Sequence, residues 1–425
     1  MPALAIDGGP PYRDTTLRPF PPRTPYGDRD IELVTQALRS QNLFRWGGTM
    51  VLEFEKRFAA LYGAHHAVGS TSGTAALHLA VGAIDPNPGD EIITAPITDL
   101  GTIIPILYQN AIPIFADSDP RTYTIDPADV ERQITPRTKA IIAIHLFGNP
   151  CDMDALVDIA RRHRIPLIED CSQAHVTEYN GRLLGTIGEI GCFSFQQSKH
   201  MTTGDGGMTI TNDDAYAERM RLFADKGFNR QQPGSGPRAY RFLAPNYRMT
   251  ELHGAVGLAQ LEKVQDVVGR RNASGDRLTA QIRGIDGLIP APVTPGGRHS
   301  YWLYPLRVTM TPAERFARAL SAEGVSASAG YIGKPIFLCA GALAEKRTYG
   351  TSRFPFDSPY TDRPVEYTDA MCPVTQDILS QLVILGFNEQ YTPADIDDMA
   401  GAIRKVAEGM IKESRAASYT PPSSA

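Results

Sequence analysis

The chain has 425 residues, of which 42% are apolar and 21% charged, a balance typical of a globular protein with one large domain and a smaller one. Its 42 lysines and arginines stand against 47 aspartates and glutamates, so the net charge of −5 lacks the basic excess of a nucleic-acid-binding protein. No apolar run approaches the roughly 18 residues of a membrane span, and the five scattered cysteines include no C-x-x-C pair. We therefore expect a cytoplasmic enzyme or binding protein without a nucleic-acid or membrane partner.

From about residue 65 the sequence alternates short β-branched apolar runs with helical patterns. The runs predict strands at 91–95, 112–116, 140–145 and 165–168, and the patterns predict helices at 75–82, 102–109, 127–133 and 153–164. This alternation is typical of an α/β fold with a mostly parallel sheet. Ligands of such sheets bind beyond the carboxyl ends of the strands, so the residues that follow each strand are the candidates for function.

The remaining patterns extend the large domain and begin a second one. They predict strands at 191–195, 207–211 and 301–309, helices at 215–223, 312–323 and 393–411, a surface loop at 232–237, and one long helix from Thr250 to Ile282. We therefore predict a large α/β domain over residues 1–260 with an N-terminal arm over 1–30. A small α+β domain follows over 261–413, and the Ser/Pro-rich segment 414–425 is predicted to be a disordered tail.

The first candidate site is Gly69-Ser-Thr-Ser-Gly-Thr74, directly before a predicted helix. A helix N-terminus offers free N–H groups and a positive dipole end, and glycine lets a phosphate approach. The segment is neither a Walker loop nor a dinucleotide fingerprint. By itself it fits a phosphate cradle and an ordinary capped helix about equally well.

Three further candidates follow in chain order. Asp170 closes a buried strand, where a carboxylate can hold a protonated ring nitrogen or cap a turn. Lys199 lies between two apolar strands, where partial burial lowers the pKa of an amine and allows a Schiff base, although a solvated turn lysine is the commoner case. Asn246 lies just before the long helix, where capping is the simple interpretation. The nine histidines show no metal-binding spacing, so no metal site is expected.

The order of these signals is more informative than any one of them. A phosphate cradle, a strand-end aspartate, a lysine in a loop and an Asn-x-Arg segment are the parts that pyridoxal phosphate requires.

On these residues the sequence resembles the DegT/DnrJ/StrS family of sugar aminotransferases, which are fold-type-I pyridoxal phosphate enzymes. The resemblance covers about residues 30–265 and continues more weakly to about 410. The matching stretches are Ser72-Gly-Thr-Ala-Ala-Leu77, Thr138-Lys-Ala-Ile-Ile142 with His145, Ile168-Glu-Asp170 with Gln173-Ala-His175, Phe193-Ser-Phe195 with Lys199 and Gly204-Asp-Gly-Gly207, and Asn246-Tyr-Arg-Met249.

The resemblance implies a role for each matching residue. Lys199 would form the Schiff base with the cofactor, Asp170 would pair with the pyridinium nitrogen, and Gln173 would contact the phenolic oxygen. The cofactor phosphate would be held by Ser72, Gly73, Thr74 and Ser194, and by Asn246 of the neighbouring subunit. A homodimer with a shared active site is therefore implied.

The implied reaction is a transamination from glutamine or glutamate to a keto sugar or keto-cyclitol, as in amino-sugar or aminoglycoside biosynthesis. Gln196 resembles the keto-cyclitol branch, because nucleotide-sugar members usually have His or another aromatic residue there. One departure concerns Asp99, which stands where the family usually has an aromatic residue stacked on the cofactor. It either caps the next helix or faces the substrate. Substrate contacts are expected from Asp99, from Arg45 and Trp46 in the segment 44–46, and from His299 and Tyr301 in the segment 299–302.

Three alternatives remain at this point. A sugar dehydratase of the same fold would carry His in place of Lys199. A non-catalytic regulatory paralogue would be indicated by loss of Lys199 or Asp170, and neither is lost. A nicotinamide-dependent oxidoreductase lacks support, because the sequence has no dinucleotide fingerprint.

Overall fold

The computed structural model describes residues 3–230, 239–361 and 364–418, so the predicted loop at 232–237 lies outside the described residues. The helices are α1 (Asp28–Arg39), α2 (Met50–Tyr62), α3 (Gly73–Ile84), α4 (Leu100–Tyr108), α5 (Pro127–Gln133), α6 (Met153–His163), α7 (Asp214–Ala224), α8 (Glu251–Leu261), α9 (Val264–Ile282), α10 (Ala313–Ala322), α11 (Ile336–Cys339), α12 (Gly341–Ala344), α13 (Pro373–Gln381) and α14 (Pro393–Ser418). The strands are β1 (His66–Ser70), β2 (Glu91–Thr94), β3 (Ile112–Phe115), β4 (Thr138–Ile144), β5 (Leu167–Asp170), β6 (Glu178–Tyr179), β7 (Arg182–Leu183), β8 (Ile190–Ser194), β9 (Gly207–Thr211), β10 (Leu288–Ile289), β11 (Tyr304–Val308), β12 (Ala327–Ala329) and β13 (Leu382–Leu385).

A seven-stranded sheet in the order β1-β9-β8-β5-β4-β2-β3 forms the centre of the large domain. The pairings from β8 through β5, β4 and β2 to β3 are parallel, and β9 runs antiparallel to both of its neighbours. The strands β2, β4, β5 and β8 are almost wholly buried, as expected of strands that are covered on both faces of a parallel sheet. The predicted α/β fold with a mostly parallel sheet is confirmed.

The small domain contains an antiparallel sheet in the order β10-β11-β13-β12. Its apolar core runs from Leu278 to Met410 and includes Leu4 of the N-terminal arm. The arm is also held by Arg13, which forms ion pairs with Asp395 and Asp398 near the start of α14. The part of the arm around Leu4 and Arg13 therefore packs on the small domain, whereas Arg23 reaches the large one.

The predicted helix from Thr250 to Ile282 is two helices, α8 and α9, which meet at Glu262 and Lys263. The apolar pattern continues across this junction, but the two halves pack on different partners. Helix α8 packs on α1 and α2 of the large domain, and α9 packs on α14 of the small one. The break between the two helices therefore lies where the chain passes from the large domain to the small one.

Two further boundaries differ from the predictions. The strand expected at 301–309 begins only at Tyr304, because Tyr301 adopts a left-handed conformation with φ of 48° that turns the chain. Helix α14 continues to Ser418, past residue 414 where the predicted tail begins, and residues 419–425 lie outside the described residues. None of the helices in the described part of the chain combines the length and apolar character needed to cross a membrane.

Candidate active site

A cavity of about 360 Å³ opens at the carboxyl ends of the parallel strands. Its walls come from the N-termini of α3 and α4, from residues at or after the ends of β4, β5 and β8, and from two side chains of the small-domain part of the chain. Seven of the predicted cofactor residues line it together: Ser72, Gly73, Thr74, Asp170, Gln173, Ser194 and Lys199. Residues up to 127 positions apart in sequence thus meet at the edge of the sheet at which parallel-sheet ligands bind.

The start of α3 forms an anion cradle. Ser72 caps the helix, and its Oγ accepts a hydrogen bond from the Ala75 N–H at 3.0 Å. A Cβ on Gly73 would lie 2.6 Å from the Cβ of Ser194, so only glycine allows the helix to approach β8 this closely. The first N–H groups of α3 and the hydroxyls of Thr74 and Ser194 consequently face one cavity, which suits a phosphate group.

Asp170 is the last residue of β5 and is buried. Its Oδ2 accepts a hydrogen bond from Thr102 Oγ1 at 3.0 Å, and its Oδ1 accepts one from the Ser172 N–H at 3.1 Å. Across the described residues, no lysine or arginine forms an ion pair with this carboxylate. A buried carboxylate without an ion-pair partner is costly, so the cavity beside it favours a positively charged ligand group.

Lys199 lies in the loop after β8, half-buried between the two domains. Its Nζ is 3.6 Å from the centre of the Trp302 indole ring. Burial lowers the pKa of the Lys199 amine to about 8, although the nearby Asp170 and Asp99 carboxylates oppose this shift. A substantial fraction of the amine is therefore neutral near physiological pH, which is the form that attacks a carbonyl group.

Gln173 follows Asp170 and joins the two domains. Its Oε1 accepts a hydrogen bond from the Phe147 N–H at 2.6 Å, and its Nε2 donates to the Tyr331 hydroxyl at 3.3 Å. Tyr331 and Trp302 also line the cavity. Tyr331 was not among the predicted site residues, since it lies in a short connection after β12 where no sequence pattern distinguishes it.

Asp99 caps α4 and also borders the cavity, so its position is compatible with both roles that the sequence left open. Its Oδ1 accepts a hydrogen bond from the Gly101 N–H at 2.8 Å, so it caps α4. It also lines the mouth of the cavity and is exposed there. The position that would stack on a cofactor in related proteins thus carries a fixed negative charge.

Three predicted residues lie outside this cavity and close to one another. Asn246 is exposed and pairs through its backbone with Asp225. Trp46 Nε1 donates to Asp225 Oδ2 at 3.1 Å, while Arg45 is buried in an ion pair with Glu55 at 2.8 Å. None of the three reaches the cavity of its own chain.

His299 and Tyr301 also stay away from the cavity. Both are buried, and their rings stack with centroids 4.1 Å apart. His299 Nδ1 accepts a hydrogen bond from the Tyr301 N–H at 2.8 Å, and the Tyr301 hydroxyl donates to Asp276 at 3.0 Å. Trp302 of the same segment is the residue that lines the cavity.

Behind Asp170, the side chains of His145, Glu169 and Cys171 lie within 4.8 Å of one another, a grouping that could hold a metal ion. The carboxylate of Glu169, however, accepts hydrogen bonds from the N–H groups of Gly185, Ile187 and Gly188, and its Oε2 lies 3.2 Å from His145 Nε2. These contacts occupy both carboxylate oxygens. The cluster anchors the end of β5 and with it the orientation of Asp170.

Comparison with known proteins agrees with this geometry. Residues 26–356 match the model of the DegT/DnrJ/EryC1/StrS aminotransferase family. The chain is 38% identical over 296 residues to a GDP-perosamine synthase of Caulobacter vibrioides, covering 68% of this chain and 76% of the relative. It is 33% identical over 437 residues to an L-glutamine:scyllo-inosose aminotransferase of Streptomyces griseus, covering 97% and 99%.

Solved structures show the same fold. An aminotransferase from Psychrobacter cryohalolentis superposes with a TM-score of 0.80 at 28% identity, covering 92% of this chain and all of that one. Aminotransferases of the matched family are pyridoxal phosphate enzymes. The protein described here therefore belongs to the DegT/DnrJ/EryC1/StrS family and is an aminotransferase.

Proposed function

We propose that the protein binds pyridoxal phosphate and moves an amino group from glutamine or glutamate to a keto sugar or keto-cyclitol. The observation that carries this proposal is that Lys199 and Asp170 line the same cavity. The first is an amine with a pKa lowered to about 8, and the second is a buried carboxylate without an ion-pair partner among the described residues.

The residues present fit the cofactor. Its phosphate would occupy the cradle at the start of α3, held by the N–H groups of Gly73 and Thr74 and by the Ser194 hydroxyl. Asp170 would receive the protonated ring nitrogen, which gives its buried charge a partner. When bound, pyridoxal phosphate supplies an electron sink for the carbon that carries the amino group.

The protein's own groups then have separate tasks. Lys199, once free, is placed to accept and return a proton, because an amine with a pKa near 8 can do both at neutral pH. Thr102 and the Ser172 N–H keep the Asp170 carboxylate oriented. Trp302 shields the amine from water on the small-domain side.

The charge of the cavity supports a keto-cyclitol as acceptor. Among the described residues that line it, Lys199 is the only cation, whereas Asp99 and Asp205 stand exposed as anions. Such a rim repels the pyrophosphate of a nucleotide sugar and accepts a neutral or cationic ring. The similarity to an L-glutamine:scyllo-inosose aminotransferase supports this choice of acceptor and glutamine as donor.

A homodimer with a shared site completes the proposal. Asn246 and Trp46 lie beside Asp225, which also pairs with Arg230 and Arg248. These groups are outside the cavity of their own chain, and Asn246 is exposed. A second subunit that places them at its neighbour's phosphate cradle would give them a function.

The test is a pair of half-reactions. Loaded with pyridoxal phosphate, the purified protein should show a Schiff-base absorbance that is absent in Lys199→Ala. Glutamine or glutamate should convert the cofactor to pyridoxamine phosphate, and scyllo-inosose should convert it back faster than a nucleotide-linked 4-keto sugar does. No conversion by any donor would instead favour a regulatory protein, and elimination of water from a sugar would favour a dehydratase.

A further inference from the structure

The loop that carries Lys199, residues 196–200, is held in place mainly from outside; we call it the lysine loop. The guanidinium of Arg23 in the N-terminal arm donates to the carbonyl of Gln197 at 2.7 Å and to that of His200 at 2.9 Å. The indole N–H of Trp302 donates to the carbonyl of Ser198 at 2.9 Å. Three of its five carbonyls are therefore bound by two side chains from distant segments.

Both of those segments depend on Glu389. Its Oε1 accepts a hydrogen bond from Arg23 Nε at 2.9 Å, and its Oε2 accepts from the Nε and a terminal nitrogen of Arg271 at 3.0 and 2.8 Å. Arg271 is only 1% exposed, and its remaining terminal nitrogen donates to the carbonyls of Trp302, Tyr301 and Phe387. One buried carboxylate thus fixes the arginine that binds the loop and the arginine that binds the backbone of Trp302.

Burial alone would raise the pKa of Glu389, but Arg271 and Arg23 outweigh it and hold that pKa below its ordinary value. The carboxylate is therefore charged at neutral pH and bridges two cations. Such a bridge is rigid, because a buried charge that loses one partner carries a large desolvation penalty.

We propose that Glu389 is a positioning residue for Lys199, which it holds in a partly dry site by fixing the lysine loop through Arg23 and Trp302 through Arg271. The catalytic role of Lys199 rests on the proposed function, whereas the position of its side chain is observed in the structure and does not. By this arrangement, docking of the small domain and the N-terminal arm sets how reactive the amine is.

The test measures the pKa of Lys199 directly, from the pH dependence of its acylation in the cofactor-free full chain, followed by peptide mass spectrometry. The groups that face Lys199 are Asp99, Asp170 and His175, and none of them is changed. In Glu389→Gln the loop loosens and water reaches the amine, so its pKa should rise from about 8 toward 10.5, by about one pH unit. Acylation at pH 7.5 should then slow roughly tenfold.

The sign of the shift separates this role from a direct charge effect. Removal of a negative charge would by itself lower the pKa of a nearby amine. A fall in the pKa, or no change together with a lower melting temperature, would overturn the proposal.

Arg23→Gln is the second variant, since Arg23 belongs to the arm and contributes to neither apolar core. It should also raise the pKa of Lys199, because the lysine loop loosens and a nearby positive charge is lost; an unchanged pKa would contradict the proposed route through Arg23. Asp397→Asn is the matched control, because it removes an exposed carboxylate that pairs with Arg277 on the small domain. This variant should leave the pKa of Lys199 unchanged. A wild-type protein without any half-reaction would refute the proposed function and leave this test valid.

Discussion

The Nζ of Lys199 lies 3.6 Å from the centre of the Trp302 indole ring, so a side chain of the small-domain segment covers the amine. The two residues are 103 positions apart and belong to different parts of the chain. Their contact means that the environment of the amine depends on how the domains pack.

The reactivity of Lys199 should show its lowered pKa. At pH 8 about half of this amine is neutral, against roughly 0.3% of an amine with the ordinary pKa of 10.5, so acylation should reach half of its maximum near pH 8. In the unfolded chain the Lys199 amine keeps its proton up to about pH 10.5, the ordinary pKa of lysine. This group therefore increases the free energy of unfolding as the pH rises from about 8 to 10.5. A reactivity midpoint near pH 10 would contradict the buried position of the amine.

Replacing Asp170 should separate activity from stability. Asp170→Asn keeps the size of the side chain but removes the charge that we assign to the cofactor's ring nitrogen, so the half-reaction with glutamine should slow by at least about a hundredfold. The cofactor-free protein should be no less stable to heat, because a buried carboxylate without an ion-pair partner is lost. Glu169→Gln is the comparison: it disturbs a fully hydrogen-bonded carboxylate and should lower stability by about 3 kcal/mol.

A methyl group at the start of α3 should close the anion cradle. In Gly73→Ala the added Cβ would lie 2.6 Å from Ser194 Cβ, so pyridoxal phosphate should bind at least about tenfold more weakly in equilibrium titration. Gly269→Ala on the exposed face of α9 is the control, since nothing lies within 4 Å of its added methyl. It should raise stability by about 0.5–1 kcal/mol and leave cofactor affinity unchanged.

Two substitutions at Asp99 should distinguish its capping from its charge. Asp99→Asn keeps a side-chain acceptor for the Gly101 N–H, whereas Asp99→Ala loses it and should cost about 1 kcal/mol of stability. Both remove the negative charge at the rim. Both should therefore raise kcat/KM for a nucleotide-linked keto sugar relative to scyllo-inosose, and an unchanged ratio would show that Asp99 only caps α4.

Mixed subunits test the shared site. Lys199→Ala and Asn246→Ala homodimers should each be impaired, the first completely. After mixing and exchange of subunits, half of the dimers carry both variants, and one of their two sites combines an intact lysine with an intact asparagine. About a quarter of wild-type activity should return. No recovery after verified exchange would place Asn246 outside the partner's site.

Much of the fold and half of the site could be predicted from short-range patterns. The βα alternation, a capped helix at the segment Gly69–Thr74 and Asp170 at the end of β5 depend on the burial of neighbouring residues and on helix capping, which the local sequence encodes. The single helix from Thr250 to Ile282 was wrong, because its apolar pattern does not show that α8 and α9 pack on different domains.

The sequence by itself determined which residues are chemically able to act: a glycine before a helix, a strand-end carboxylate and a lysine between apolar strands. Only the tertiary structure decided what surrounds them. The left-handed backbone at Tyr301 buries His299 and Tyr301 and turns Trp302 toward Lys199, and no local propensity predicts that conformation for a tyrosine. Likewise Arg23, Arg271 and Glu389 come from three distant segments, and their ion pairs exist only once the arm and the small domain have packed together.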